Sequence, residues 1–280
     1  MFTIFRHSLS RSLGTILGWG LSLAVLGGYL ILFYDTLADQ QAQLTQLISQ
    51  YPPELMAMFG GMEDMFTPHG YINVEFFSYM PLILGIYMVL SGSGLLVGDE
   101  ESGTLDLVLA HPVSRTAVFW GRLLSFTVSV LAILLIAWAG FVVAAPSTKL
   151  NIPPAELALP FLSLFALLAL FGALALLLSM LLPARRIAAM IAGLLLVASF
   201  FITTLARLDE KLVDLAKLSP LNYYQGGLAL QEMAWGWFAG LLGAAVVFTL
   251  LAWWRFERRD IRVGGEGGWQ LTFRKAKAKA

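Results

Sequence analysis

Cysteine is absent from the 280 residues. That removes disulfides, thiol chemistry, thiolate zinc sites and iron–sulfur clusters, and it leaves the redox compartment open. The three histidines, His7, His69 and His111, are too few and too scattered for an imidazole metal site. No lysine follows a glycine, so a phosphate loop of the form G-x-x-x-x-G-K-S/T is excluded and the chain does not hydrolyse ATP through one. Charge is scarce, at 13% of residues against about 25% in soluble domains. Lys+Arg and Asp+Glu each number 18, leaving no net charge to attract a nucleic acid.

What is present is apolar. Hydrophobic residues make up 58% of the chain, more than the core of a soluble globule of this length can hide. A helix rises 1.5 Å per residue, so about 20 apolar residues cross a hydrocarbon core of about 30 Å. Six segments meet this requirement: 13–34, 75–97, 118–145, 157–182, 187–206 and 233–254. None shows the alternation of a barrel strand. The third is longer than one crossing needs, which places its start in the headgroups. Ionisable groups are expected to stay out of the spans, because a charge in hydrocarbon is costly and marks an ion or proton pathway. The first segment is longer than a signal-peptide core and has no cleavage site, so it reads as a retained span. These features predict an all-α, polytopic membrane protein with six transmembrane helices.

Cationic residues sort between the two sides. Only Lys149, Arg207, Lys211 and Lys217 fall opposite the termini, and most acidic residues fall with them. The positive-inside rule then puts both termini in the cytoplasm. The outer loop 35–74 reads as an amphipathic stretch, a Pro52-Pro53 break and a methionine-containing segment. The loop at 207–232 reads as a further amphipathic stretch ending at Pro220. The tail 255–280 is basic and Gly-rich and suits an anionic membrane surface. Residues 1–12 place Phe2, Phe5 and Leu9 at helical spacing with Arg6 and Arg11 available to phosphates, an N-terminal interfacial helix. Three pairs, Gly14/Gly18, Gly94/Gly98 and Gly236/Gly240, have the spacing of close helix approach. Ser91-Gly92-Ser93-Gly94 has the look of a nucleophile turn, but it reads better as small residues easing helix contact. Pro81 predicts a kink in the second span.

The most informative stretch joins spans two and three. Asp99, Glu100 and Glu101 end the second span, and a short helix follows with Leu105, Val108 and Leu109 on one face. Pro112 stops it and Ser114 can cap the next helix. A rigid surface helix with charged ends offered to a soluble partner fits this pattern; a solvated loop fits it as well.

That string, G-D-E-E-S-G-T-L-D-L-V-L-A-H-P-V-S-R over 98–115, resembles the permease subunits of type-2 (ABC-2) ATP-binding cassette transporters, whose usual pattern is G-E-E-E-x-G-T-L-E-L-L-L-x-x-P-V-S-R. Asp99 and Asp106 stand where glutamate is commoner and keep the charge. The resemblance covers nearly the whole chain as one transmembrane domain of 1–280. It implies a non-enzymatic permease, usually an exporter, that dimerises with a like or unlike permease and pairs with two separate ATPase subunits carrying ATP and magnesium. The chain itself would hold no cofactor. The multi-pass protein would lie in the inner cell membrane, and nucleic acid is not an expected partner. By the same resemblance the short cytoplasmic coupling helix is 102–110. Contacts to the ATPase then fall on Asp99, Glu100, Glu101, Ser102, Gly103, Thr104, Leu105, Asp106, Leu109, Pro112 and Arg115, with Phe5, Arg6 and Arg11 of the interfacial helix beside them. Pro220-Leu221-Asn222-Tyr223-Tyr224 resembles the family's outer re-entrant region. An apolar lining suits hydrophobic or amphipathic cargo. Two other classes remain open on the residues alone: a stand-alone secondary carrier or channel, and a non-transporting scaffold.

Overall fold

The computed structural model describes residues 1–40, 67–110, 112–150 and 152–259. Among the described residues every regular element is helical. In chain order these are α1 (Phe2–Asp39), α2 (Pro68–Ile72), a π-turn (Asn73–Phe77), α3 (Met80–Gly94), α4 (Val97–Glu101), α5 (Thr104–Leu109), α6 (Arg115–Ala144), α7 (Pro154–Leu181), α8 (Arg185–Leu205), α9 (Val213–Ala216) and α10 (Trp235–Arg258). Short 3-10 turns at Ala145–Ser147, Glu210–Leu212, Pro220–Tyr223 and Gly226–Leu230 complete the connections. Six helical stretches are long and apolar enough to cross a membrane, and each covers one of the six expected segments. The amphipathic and Pro52-Pro53 features of the first outer loop beyond Gln40 lie in 41–66, His111 stands alone between described residues, and the basic tail beyond Arg259 lies in 260–280, its expected first residues 255–258 being the end of α10. All three are outside the described residues.

Helix α7 is the hub. It packs against α3, α6, α8 and α10, and two thirds of its most apolar stretch is buried, against less than a third for α1, α8 and α10. The exposed faces of those outer helices are rich in Leu, Val and Phe, as a lipid-facing surface requires. Helix α1 packs along α6. The contact is close because Gly140 lets the backbone of Ala24 approach: a Cβ on Gly140 would sit 2.4 Å from the Ala24 carbonyl oxygen. Gly92 does the same between α3 and α7, where a Cβ would meet the Gly172 carbonyl oxygen at 2.5 Å. The expected Gly14/Gly18 and Gly236/Gly240 pairs behave otherwise. Nothing lies within 4 Å of a Cβ at any of the four, so none of them seats a helix of this chain. Ser93 is buried in α3 and donates to the Leu90 carbonyl at 3.1 Å, in keeping with small residues at a helix contact.

Two sequence expectations change in position. The 1–12 segment is not set off from the first span; it is the start of one unbroken helix of 38 residues, about 57 Å long at 1.5 Å per residue. The interruption of the second span is the π-turn at 73–77, and Pro81 sits in the first turn of α3 just after it. Proline has no N–H to give to the carbonyl four residues back, which is Phe77. That carbonyl accepts instead from the Tyr224 hydroxyl at 2.9 Å. Burial pushes the Tyr224 hydroxyl well above its ordinary pKa, so it stays protonated as a donor. Alongside, Gly227 donates its N–H to the Asn73 side chain at 2.9 Å, and Gly226 takes the left-handed conformation at φ 53° that lets the turn lie flat on the π-turn. Residues 220–230 thus strap the far end of the bundle.

The near end carries both described termini. A Cβ on Gly121 in α6 would lie 3.1 Å from the Met1 carbonyl oxygen, and Arg115 reaches the Arg259 carbonyl at 2.7 Å. This is the basal end.

Expected outcome: Tyr224→Phe leaves a buried carbonyl unsatisfied and lowers stability by about 1–3 kcal/mol. In a Pro81→Ala background the helix supplies its own N–H to Phe77, so the same substitution then costs less. Thermal unfolding of the four proteins in detergent checks the coupling.

Candidate functional site

The connection between α3 and α6 folds from its own sequence. After α3, Leu96 and Val97 turn into the bundle, and α4 carries Asp99 and Glu100 inward with it. Gly103 reverses the chain at φ 70°, a conformation that costs any other residue about 1 kcal/mol or more. The Ser102 and Thr104 hydroxyls both donate to the Asp99 carbonyl at 3.2 Å and lie 3.0 Å from each other. Helix α5 then buries Leu105 in a cluster with Phe119, Leu176 and Phe256. Ser114 caps α6 by accepting the Ala117 N–H at 3.2 Å, as its place in the sequence predicts.

Each of the three carboxylates is met by an arginine from a different part of the bundle, two by a guanidinium and one by a backbone N–H. Asp99 pairs with Arg122 of α6, whose guanidinium also donates to the Leu95 carbonyl at 3.1 Å. Glu100 pairs with Arg259, just past the end of α10, with side chains only 2% and 6% exposed. Glu101 accepts the backbone N–H of Arg185 at the start of α8 at 3.2 Å, and the Arg185 guanidinium reaches the Leu90 carbonyl of α3 at 3.2 Å. Two further bonds join α6 to the end of α10: Arg115 to the Arg259 carbonyl, and Thr116 to the Glu257 carboxylate at 2.6 Å. Taking two ions out of water costs several kcal/mol each, which only a close pair with further hydrogen bonds offsets.

This arrangement differs from charged ends offered to a partner. Asp99 is half-buried and Glu100 is buried; among the described side chains the exposed positions are Glu101, Ser102, Thr104, Ala110, Pro112 and Ser114. Leu105 faces its own bundle, Arg115 is directed at α10, and Asp106 and Leu109 lie along α5. Of the N-terminal residues, Arg6 and Arg11 are exposed, and Phe5 is half-buried against Phe2 with ring centroids 6.2 Å apart. The arginines opposite the carboxylates were not singled out by the sequence. One clue was available. Arg122 lies inside the third segment and Glu75 at the edge of the second, so the expectation of charge-free spans fails at these two positions, and an ion in an apolar run requires a partner.

Elsewhere, a cleft of about 250 Å³ opens between α3, α6, α7 and α10, walled by Met88, Phe126, Phe165, Leu242 and Val246, with Thr127 and Thr249 as its hydroxyls. Among the described residues no group of three or more His, Asp or Glu is placed to hold a metal ion.

Six apolar spans around a buried hub define a multi-pass membrane protein. The family model described as ABC-2 family transporter protein matches residues 2–261, and the chain belongs to that family: it is a permease, the membrane component of a transporter and not itself catalytic. No curated protein matches the chain at a significant level.

Expected outcome: Glu100→Ala removes the carboxylate that faces the buried Arg259 guanidinium and lowers stability by about 3–5 kcal/mol, whereas Glu101→Ala, at the surface, costs under about 1 kcal/mol. Glu100→Ala with Arg259→Ala should cost less than the two single changes added together. Unfolding in detergent followed by tryptophan fluorescence reads all four.

Proposed function

We propose that the chain is the permease half of an ATP-binding cassette exporter for hydrophobic or amphipathic cargo, driven by a separate ATPase through residues 99–115. It works as one transmembrane domain of 1–280, paired with a second permease, identical or not, in the inner cell membrane. The basal end and both termini face the cytoplasm, where the basic residues collect. ATP and magnesium belong to the ATPase.

The observation that carries this reading is the triple anchorage of the acidic connection. Its exposed rim, Glu101, Ser102, Thr104, Ala110 and Pro112, is a surface on which a partner can press. Its inner side is tied to α6 through Arg122 and to the end of α10 through Arg259, and Glu101 on the rim holds the backbone N–H of Arg185 at the start of α8. A push on the rim is therefore delivered to three helices together, two of which wall the apolar cleft. Closure of the paired ATPases would supply the push, and the helices would pass from facing one side to facing the other. Cargo would lodge against the cleft through the hydrophobic effect, its polar end finding Thr127 or Thr249.

Expected outcome: mild-detergent purification of the chain recovers a stoichiometric P-loop ATPase, and vesicles holding both move a lipophilic fluorescent dye on addition of ATP. Gly103→Pro forces φ from 70° to about −65° and so misplaces α5 without touching a span. It should insert normally and retain ATP hydrolysis while dye movement falls at least about tenfold, a loss of roughly 1.4 kcal/mol in coupling. The Asp99/Glu100/Glu101 triple alanine variant should uncouple as well, together with the loss of stability expected for Glu100→Ala. Normal transport by Gly103→Pro, or full activity of the chain alone without ATP, would overturn the assignment.

A further inference from the structure

A second basal feature lies beside the acidic connection. Between the start of α1 and the acidic connection lies a pocket of about 480 Å³ lined by His7, Ser8 and Arg11 on one side and by Leu95, Asp99, Thr104 and Arg122 on the other. Asp99 and Arg122 cancel as an ion pair. Arg11 faces the same space, is exposed, and forms no ion pair with any described residue. Arg122 lines the same pocket from α6. The pocket is thus net positive, with the Ser8 and Thr104 hydroxyls and the His7 ring at its edge. Its chemistry is that of an anion site with room for more than one carboxylate.

The face of α1 that carries His7 and Arg11 continues toward the membrane centre. Positions three, four and seven beyond Arg11 are Gly14, Thr15 and Gly18, all exposed. Nothing lies within 4 Å of a Cβ at either glycine. Beyond them the same helix presents a shallow, open surface groove lined by Leu21, Ser22, Val25, Leu26 and Tyr29. From Arg11 to Val25 the helix rises about 21 Å, more than half of a hydrocarbon core of about 30 Å. That is the reach of an acyl chain whose headgroup lies at Arg11.

We propose that this pocket and groove hold one anionic phospholipid of the leaflet on the basal side, its phosphate between Arg11 and Arg122 and an acyl chain along Gly14 and Gly18. Guanidinium forks match phosphate oxygens, and a basic pocket between spans adds to the general attraction of the anionic surface. The lipid fills the pocket between α1 and the acidic connection, so its presence sets how closely those two elements approach.

The test uses the full chain in detergent with phosphatidylglycerol and phosphatidylcholine of identical acyl chains at equal concentration, bound lipid being counted by native mass spectrometry. The wild-type chain should retain phosphatidylglycerol preferentially. Arg11→Ala should lower that preference roughly fivefold, the weight of one cation near a charged group, while Arg11→Lys keeps most of it. Gly18→Leu fills the groove without a clash and should weaken retention of both lipids. Each variant should unfold at the wild-type temperature, since none touches a packed contact. Equal retention of the two lipids by the wild-type chain would overturn the proposal, as would an unchanged preference in Arg11→Ala. Displacement of the lipid by inorganic phosphate would reassign the pocket to a small soluble anion. Loss of a co-purified protein from Arg11→Ala with the lipid preference intact would make it a protein contact instead.

Discussion

A carboxylate held out of water needs a cation within reach, and at the basal end that requirement decides how the chain is tied together. Glu100 is 3% exposed. Left alone it would carry a desolvation cost of several kcal/mol. Arg259 meets it from the far end of the sequence, 159 residues away, and so joins the second span to the last. Asp99 repeats the arrangement with Arg122 of α6, while the exposed Glu101 accepts the backbone N–H of Arg185 at the start of α8. The acidic run therefore does more than keep a loop in solvent. It is a three-point mount, and the mount allows a small surface helix to act on spans it hardly touches.

The far end solves a related problem without charge. A backbone carbonyl near the hydrocarbon must find a donor inside the protein. Pro81 withholds one from Phe77, and Tyr224 supplies it from the last connection. Lys149 adds a solvent-facing tie to the end of α1. Its backbone N–H donates to Asp35 at 2.7 Å and its ammonium pairs with Asp39, which raises the lysine pKa. Between the two ends the packing is apolar, and close approach depends on absent side chains at Gly92 and Gly140.

Much of this was legible beforehand because it depends on local quantities. Span number follows from uninterrupted apolar length, the asymmetry of the two sides from where Lys and Arg lie, and the start of α6 from Ser114 one residue before Arg115 and two after Pro112. What failed depends on which face of a helix a residue occupies. Gly14 and Gly18 have the spacing of a packing motif but lie on an outer face, whereas Gly140 has no such partner and makes the contact. The partners of Asp99, Glu100 and Glu101 lie 23 to 159 residues away, and nothing in a linear pattern relates them. The second span was found while its break was misplaced, since proline announces a lost hydrogen bond and not where the helix will loosen.

The long seam between α1 and α6 has a mechanical consequence. Ile136 covers Gly20, the Phe141 ring covers Gly27, and Ala24 lies on Gly140, so neither helix can slide along the other. The two form a beam about as long as the membrane is thick, stiff in bending because its members share load along their length. A tilt imposed at Arg122 must then reappear at Asp35 and Asp39 with its sense reversed about some pivot between them. The side of the membrane that receives no push would learn of it through rigidity alone.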